Sequence, residues 1–155
     1  MGFNPSVASL ADTPVGPVSV TVVDGAITKL DWAVIDGPSD PVASAAIAQL
    51  AEYFGGTRQD FNLPLAPDVS DFQRKFGAAL CAIPFGETRT YGDLARDLGV
   101  PAQAIGQACG ANPIPIIIPC HRVLGANGLG GFSGAGGVEG KVQLLRHEGA
   151  ASLLI

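Results

Sequence analysis

The stretch on which the fold turns is Thr90-Tyr91-Gly92-Asp93-Leu94-Ala95-Arg96-Asp97-Leu98-Gly99, continued by Val100-Pro101 and Ala102-Gln103-Ala104-Ile105-Gly106-Gln107-Ala108-Cys109-Gly110. The first run predicts a short helix with a glycine stop at Gly99. Val100-Pro101 then opens a second helix, since proline is tolerated in a first turn. Two short helices joined by a tight glycine-containing turn match a helix-turn-helix. The second helix has almost no long side chains. A helix that reads the major groove projects Arg, Lys, Asn or Gln, whereas this one offers Gln103 and Gln107 alone. Small residues instead suit close approach to a backbone or a narrow groove.

Downstream, Asn112-Pro113-Ile114-Pro115-Ile116-Ile117-Ile118-Pro119 is too rich in proline for a central strand. It reads as a rigid extended segment that delivers Cys120. From Leu124 to Gly140 the chain carries eight glycines between positions 125 and 140, a composition suited to movement or to close approach of backbone and ligand. Val138 to Glu148 predicts a closing helix stopped by Gly149. Upstream, Ser70 or Asp71 starts a helix. Its apolar face is Phe72, Phe76, Ala79 and Leu80, and it runs to about Ile83, where Pro84-Phe85-Gly86 breaks it.

The first part of the chain reads differently. Val15 to Val23 predicts a strand, Asp24-Gly25 a hairpin turn, and Ala26 to Trp32 the returning strand. Ser39 or Asp40 caps a helix that has Pro41 in its first turn, runs from Val42 to Phe54 and ends at Gly55-Gly56. Residues 61–70, with Pro64 and Pro67, form a linker. The expected fold class is therefore α+β: a small N-terminal β-hairpin and helix lobe over residues 1–65, acting as support, and a mainly helical C-terminal domain with a helix-turn-helix over residues 70–155.

Composition bounds the function. Of 155 residues, 47% are hydrophobic and 15% charged, which suits a packed core rather than disorder. No apolar run approaches the roughly 20 residues of a membrane span, and the N-terminus lacks the basic and apolar regions of a secretory leader. The expected compartment is the cytoplasm. Three cysteines, an odd number, argue against a disulfide framework, and no two stand at zinc-ligand spacing. The net charge of −5 opposes nucleic-acid binding at first sight. Residues 1–70 carry eight acidic and two basic groups, however, and residues 71–155 six acidic and seven basic. The acidity thus belongs to the first half, and the second can approach a phosphate backbone.

Cys120 is the candidate nucleophile. A free thiol is mostly protonated at neutral pH, so a neighbouring base or cation must favour the thiolate. His121 and Arg122 follow directly, and Glu148 stands beside His147 near the C-terminus. Cysteine, histidine and carboxylate can form a relay in which the carboxylate orients imidazole and imidazole takes the thiol proton. Adjacent side chains point different ways, so a water is expected between His121 and the sulfur. Against this stands the ordinary state of a free cysteine, which is buried and inert; Cys81 and Cys109 are read that way, as helix-face packing. What sets Cys120 apart is its company: Asn112-Pro113, the prolines before it, and the glycine-rich loop after it.

Four blocks carry a family resemblance. Ile83-Pro84-Phe85-Gly86-Glu87-Thr88-Arg89-Thr90-Tyr91-Gly92-Asp93-Leu94-Ala95, Asn112 to Val123 with its Pro119-Cys120-His121-Arg122-Val123 core, Gly130-Gly131-Phe132-Ser133-Gly134, and Leu144-Leu145-Arg146-His147-Glu148-Gly149 closely resemble the O6-alkylguanine-DNA alkyltransferases, the methylated-DNA–protein-cysteine methyltransferases. The likeness is strong over about residues 70–150 and looser over 13–65. It implies DNA repair by direct, single-turnover transfer of an alkyl (methyl) group from O6-alkylguanine to Cys120. The partner implied is double-stranded DNA, bound through the minor groove by a monomer with the damaged base flipped out. No cofactor is implied, and the zinc that some relatives carry in the N-terminal lobe has no ligand set here. By the same resemblance Cys120 is the acceptor, His121 the water-mediated base, Glu148 its orienting carboxylate, and Asn112 the brace of the active-site turn. Tyr91 contacts phosphate and helps protonate the leaving guanine. Val123 and Ser133 meet the flipped base through backbone groups, with Phe132 as a pocket wall.

The chain departs from the family pattern in three places. Gln103 stands where the recognition helix usually carries an arginine that fills the gap left by the flipped base. The segment from Ser133 to Lys141 is about two residues longer than usual. Phe132 often appears as Tyr. Two other functions compete with alkyl transfer: an alkyltransferase-like protein that recognises alkylated guanine with little or no transfer, a group whose acceptor cysteine is replaced, and a thiol hydrolase using Cys, His and Glu, which needs an oxyanion site that has no signature here.

Overall fold

The computed structural model describes residues 5–125, 128–130 and 137–150. It divides into two compact units, 1–68 and 69–155. In the first unit three strands, β1 (Ser6–Leu10), β2 (Val18–Val23) and β3 (Ala26–Asp31), form an antiparallel sheet in that order. Asp24 and Gly25 both take positive φ, 52° and 78°, as the tight turn between β2 and β3 requires. Helix α1 (Pro41–Phe54) is capped by Asp40, whose carboxylate accepts from the Ala43 N–H at 2.7 Å. Its buried residues Ala43, Ala46, Leu50 and Tyr53 recur at helical spacing and form one core with Val18, Val20 and Val22.

Sequence expectations for this unit change in three places. The strand expected from Val15 starts at Val18, because residues 13–16 turn, with Gly16 at φ +88° and its N–H bonded to the Thr13 carbonyl. Strand β1 was not expected. It pairs from Ser6↔Val22 to Leu10↔Val18, yet its sequence, Ser-Val-Ala-Ser-Leu, has too few branched residues to announce a strand. Within the expected linker, Leu65 forms a parallel bridge with Ile27, supported by Ile27 N–H to Pro64 O and Ala66 N–H to Ile27 O, both 2.8 Å.

The second unit runs α2 (Asp71–Cys81), β4 (Arg89–Thr90), α3 (Tyr91–Leu98), α4 (Ala102–Gly110), a 3₁₀ turn (Cys120–Arg122), β5 (Val123–Leu124) and α5 (Val138–Glu148). Ser70 caps α2, which ends two residues short of the expected Ile83. Thr90 caps α3 in a reciprocal box: its hydroxyl accepts from the Asp93 N–H and the Asp93 carboxylate accepts from the Thr90 N–H, each at 3.0 Å. Gly99, at φ +68°, closes α3 in the left-handed region, and Pro101 starts α4. The two helices pack together as the helix-turn-helix reading expects. Fold class is thus α+β, with one small sheet-and-helix unit and one mainly helical unit.

The segment before Cys120 corrects the expectation of an extended strap. It is folded into tight turns. Ile118 N–H bonds Ile114 O, and Ile117 N–H bonds Pro115 O across Ile116, which sits at φ +71°. A three-residue turn centred on a β-branched residue of positive φ is costly. Here Ile114, Ile116, Ile117 and Ile118 are all buried. The burial of four isoleucines within five residues is obtained by coiling the chain, because an extended strand would turn alternate side chains to opposite faces.

Candidate active site

Cys120 begins the 3₁₀ turn, and the backbone before it makes a second tight turn: the Cys120 N–H bonds Ile118 O at 2.8 Å around Pro119, at φ −83° and ψ 69°. Asn112 locks this geometry from both ends. Its Nδ2 donates to Ile118 O at 2.8 Å, and its Oδ1 accepts from the Ile114 N–H at 3.1 Å. Its side chain also bears on the Cys120 thiol, whose pKa it pulls down. Beyond the turn, β5 pairs in parallel with β4, Arg89 opposite Val123 and Thr90 opposite Leu124. That ladder sets the N-terminus of α3, and with it Tyr91, beside the exit from the Cys120 turn.

The relay residues meet. His121 is fully buried, and its Nε2 lies 2.7 Å from Glu148 Oε2. The second ring nitrogen, Nδ1, is buried without a hydrogen-bond partner among the described residues. In the neutral imidazole this fixes the roles: Nε2–H donates to the carboxylate, and Nδ1 keeps its lone pair. Burial is the largest influence on His121 and pushes its pKa down. The Glu148 hydrogen bond and charge oppose that shift, and the charges of Arg122 and Lys141 reinforce it. Burial pushes the Cys120 thiol up, against the Asn112 side chain and the Lys141 charge, which pull it down. The resting pair is therefore a neutral thiol beside a neutral imidazole, the protonation states a general base needs.

Two cations complete the cluster; sequence reasoning named Arg122 beside Cys120 without a role and missed Lys141. Arg122 wraps Glu148 with Nε to Oε1 at 2.8 Å and Nη2 to Oε2 at 3.0 Å, while Nη1 donates to Ile83 O at 2.6 Å. Its guanidinium stands 5.9 Å from the Phe85 ring centroid. Lys141 is also fully buried. Its Nζ donates to Val123 O at 2.6 Å and lies 5.8 Å from the Tyr91 ring centroid. Burial lowers the Lys141 pKa, and the Cys109 and Cys120 sulfurs draw it back up. A sequence signal existed for Lys141: it shares the buried stripe of α5 with Leu144, Leu145 and Glu148, at helical spacing.

The remaining expected residues divide. Tyr91 packs on Gly130, where a Cβ would stand 2.7 Å from the phenol oxygen. Val123 is buried, with its N–H bonded to Cys120 O and its carbonyl accepting from Lys141 Nζ. Gln103 is on the exposed face of α4 with Gln107, Gly106 and Gly110, and an added Cβ at either glycine would meet nothing. It makes no hydrogen bond to the Cys120 cluster among the described residues. Phe132 and Ser133 lie outside the described residues, as does most of the longer segment before Lys141. No group of three or more His, Cys, Asp or Glu side chains among the described residues could hold a metal ion, and no helix there is long and apolar enough to cross a membrane.

A helix-turn-helix unit that buries a cysteine against an Asn brace, a His–Glu pair and two cations defines a nucleic-acid-directed thiol protein. Comparison with known proteins is specific. Residues 71–150 match the DNA binding domain of the 6-O-methylguanine DNA methyltransferases, and residues 7–67 match that family's ribonuclease-like domain. The methylated-DNA–protein-cysteine methyltransferase of Methanosarcina barkeri is 40% identical over 151 residues, covering 90% of this chain and 94% of the relative. The constitutive enzyme of that name from Bacillus subtilis is 39% identical over 140 residues, covering 81% and 85%. The crystal structure of Mycobacterium tuberculosis OGT in complex with DNA superposes with a TM-score of 0.81 at 37% identity, over 92% of each chain. The chain belongs to the 6-O-methylguanine DNA methyltransferase family, and so to the DNA-repair methyltransferases that carry a DNA-binding domain.

Proposed function

We propose that this chain repairs DNA by moving an alkyl group from the O6 position of guanine onto Cys120, once per molecule. The observation that carries this reading is the buried His121, bound to Glu148 through Nε2 with its Nδ1 lone pair uncommitted, directly after Cys120. His121 takes the thiol proton through a water, and Glu148 holds the ring in the tautomer that can accept it. The Cys120 sulfur then forms a bond to the alkyl carbon as the carbon–O6 bond breaks. The electron pair stays on guanine, and Tyr91 assists its protonation. The thioether has no route to hydrolysis, so the protein is consumed. Asn112 braces the turn that presents the sulfur, Val123 and Ser133 meet the flipped base through backbone groups, and Phe132 walls the pocket.

The partner on this reading is duplex DNA. The monomer approaches the minor groove with α4, whose exposed face of alanine, glycine and glutamine suits a narrow groove. Gln103 stands in the gap left by the flipped base. A thiol acceptor for DNA damage belongs in the reducing compartment that holds the DNA, which places the protein in the cytoplasm. The test is an intact mass after incubation with a duplex containing O6-methylguanine. A gain of one methyl, mapped to Cys120 and lost in Cys120→Ala, is the expected result. Unchanged mass with retained binding to the damaged duplex would overturn transfer in favour of damage recognition alone.

A further inference from the structure

Glu148 is shared. Its Oε2 accepts from both His121 Nε2 and Arg122 Nη2, and its Oε1 accepts from Arg122 Nε. Arg122 is not free to follow the carboxylate, because Nη1 is anchored on Ile83 O at 2.6 Å, where the chain leaves α2. All three polar side chains are buried. A bare carboxylate at this distance from a buried imidazole favours the imidazolium strongly, since opposite charges within about 4–6 Å stabilise the charged form. An imidazolium carries a proton on Nδ1 and cannot accept one from a thiol. The relay therefore needs the orientation Glu148 supplies without the full effect of its charge.

We propose that Arg122 is a positioning residue for the base: by dividing Glu148 between itself and His121, it lets the carboxylate orient the ring while keeping His121 neutral. The inference rests on the alkyl-transfer reading above and adds a residue to it. Among the described residues, the charged and titratable groups around His121 come from two elements. Glu148 and Lys141 face it from α5, and Arg122 and Cys120 flank it in its own turn; of these, Glu148 favours the charged ring and both cations oppose it. From α2, Cys81 feels the Arg122 charge. Loss of Arg122 removes one of the two opposing cations and both guanidinium hydrogen bonds to Glu148, and the Glu148–His121 bond remains. The ring's pKa then rises, and the acid limb of the transfer rate moves up in pH with it.

The chain has two histidines, so proton NMR titration resolves His121 directly, with His147→Gln to assign the other ring. Arg122→Gln keeps an amide donor toward Glu148 but no charge. Arg122→Lys keeps a cationic side chain while losing the fork. In R122Q, the His121 titration is expected to rise by about one unit or more, and the acid limb of single-turnover transfer to rise with it. In R122K, both stay within about half a unit of the native protein. Arg122 has no such role if R122Q titrates as the native protein does, or if R122K, its charge retained, shifts as far as R122Q. Native protein that fails to take up a methyl sinks the transfer reading instead, and the His121 titration stays measurable in that case.

Discussion

Cys109 and Cys120 are two cysteines under one lysine, and they differ in what surrounds them. Cys120 has the Asn112 side chain and the His–Glu pair; Cys109 has burial and the Cys120 charge, which together push its thiol up to about 12 with only Lys141 opposing. Reading Cys109 as inert packing follows from that environment. It also has a thermodynamic consequence. A group whose folded pKa exceeds the ordinary 9.0 keeps its stabilising contribution below pH 9 and loses it as pH rises toward 12. Cys109→Ala is therefore expected to flatten the alkaline loss of stability by up to about 1.4 kcal/mol per pH unit across that window. Urea midpoints of the two proteins at pH 8 and pH 10.5 check it; parallel losses would show that Cys109 does not titrate abnormally. The sequence made Cys120 and His121 legible because the relay begins as neighbours in the chain. Arg122 was visible as a neighbouring cation, but its partner was not, nor was that of Lys141; the two lie 26 and 18 residues away. A charge next to a reactive residue says nothing about which buried oxygen it will meet.

At the scale of elements, the helix-turn-helix was legible from punctuation alone. Gly99 stops α3 in the left-handed region and Pro101 starts α4, each by a local backbone preference that tertiary context did not need to override. The segment 112–119 was not legible. Its prolines exclude a strand, but its coiling depends on Asn112 bonds to Ile114 and Ile118 and on burial of four isoleucines, which no local rule encodes. On α4, the open space beside Gly106 and Gly110 means that nothing within the described protein demands their bareness. Glycine costs a helix roughly 1 kcal/mol relative to alanine, so the flat face fits a partner that approaches closely. Gln103 rises from that face without a charge. Gln103→Arg is expected to speed transfer to a methylated duplex by at most on the order of tenfold, the rate equivalent of replacing a neutral contact with a charge-assisted one. Single-turnover rates measure it, and an unchanged or slower rate would remove Gln103 from the account of base flipping.

At the scale of the whole molecule, the charge distribution bounds how the protein can hold DNA. The net charge is −5, and the basic residues gather in the second unit, seven of the nine in the chain. Two of those seven do not reach the surface: Arg122 is held by Glu148 and Ile83, and Lys141 is buried against Val123. Five remain: Arg74, Lys75, Arg89, Arg96 and Arg146. Arg74, Arg89 and Arg96 already stand near Asp71, Glu87 and Asp93. Exposed pairs of this kind are worth little and exchange readily for a phosphate, so five phosphates is the ceiling. Each neutralised phosphate contributes about −0.9 to the slope of log affinity against log salt for duplex DNA. The slope for this chain is then expected to be no steeper than about −4.5, shallow beside a strongly basic DNA binder. Fluorescence anisotropy on a short duplex between 50 and 200 mM salt measures it, with roughly that range set by where the effect is large. A steeper slope would mean that cations beyond those five meet phosphate: Lys29 or Arg58 of the first unit, or the buried pair around Cys120. A shallow slope leaves most of the affinity to the close fit of α4 and to the flipped base. Discrimination between damaged and intact duplex then persists at high salt, because the contacts that distinguish the two are those that salt does not screen.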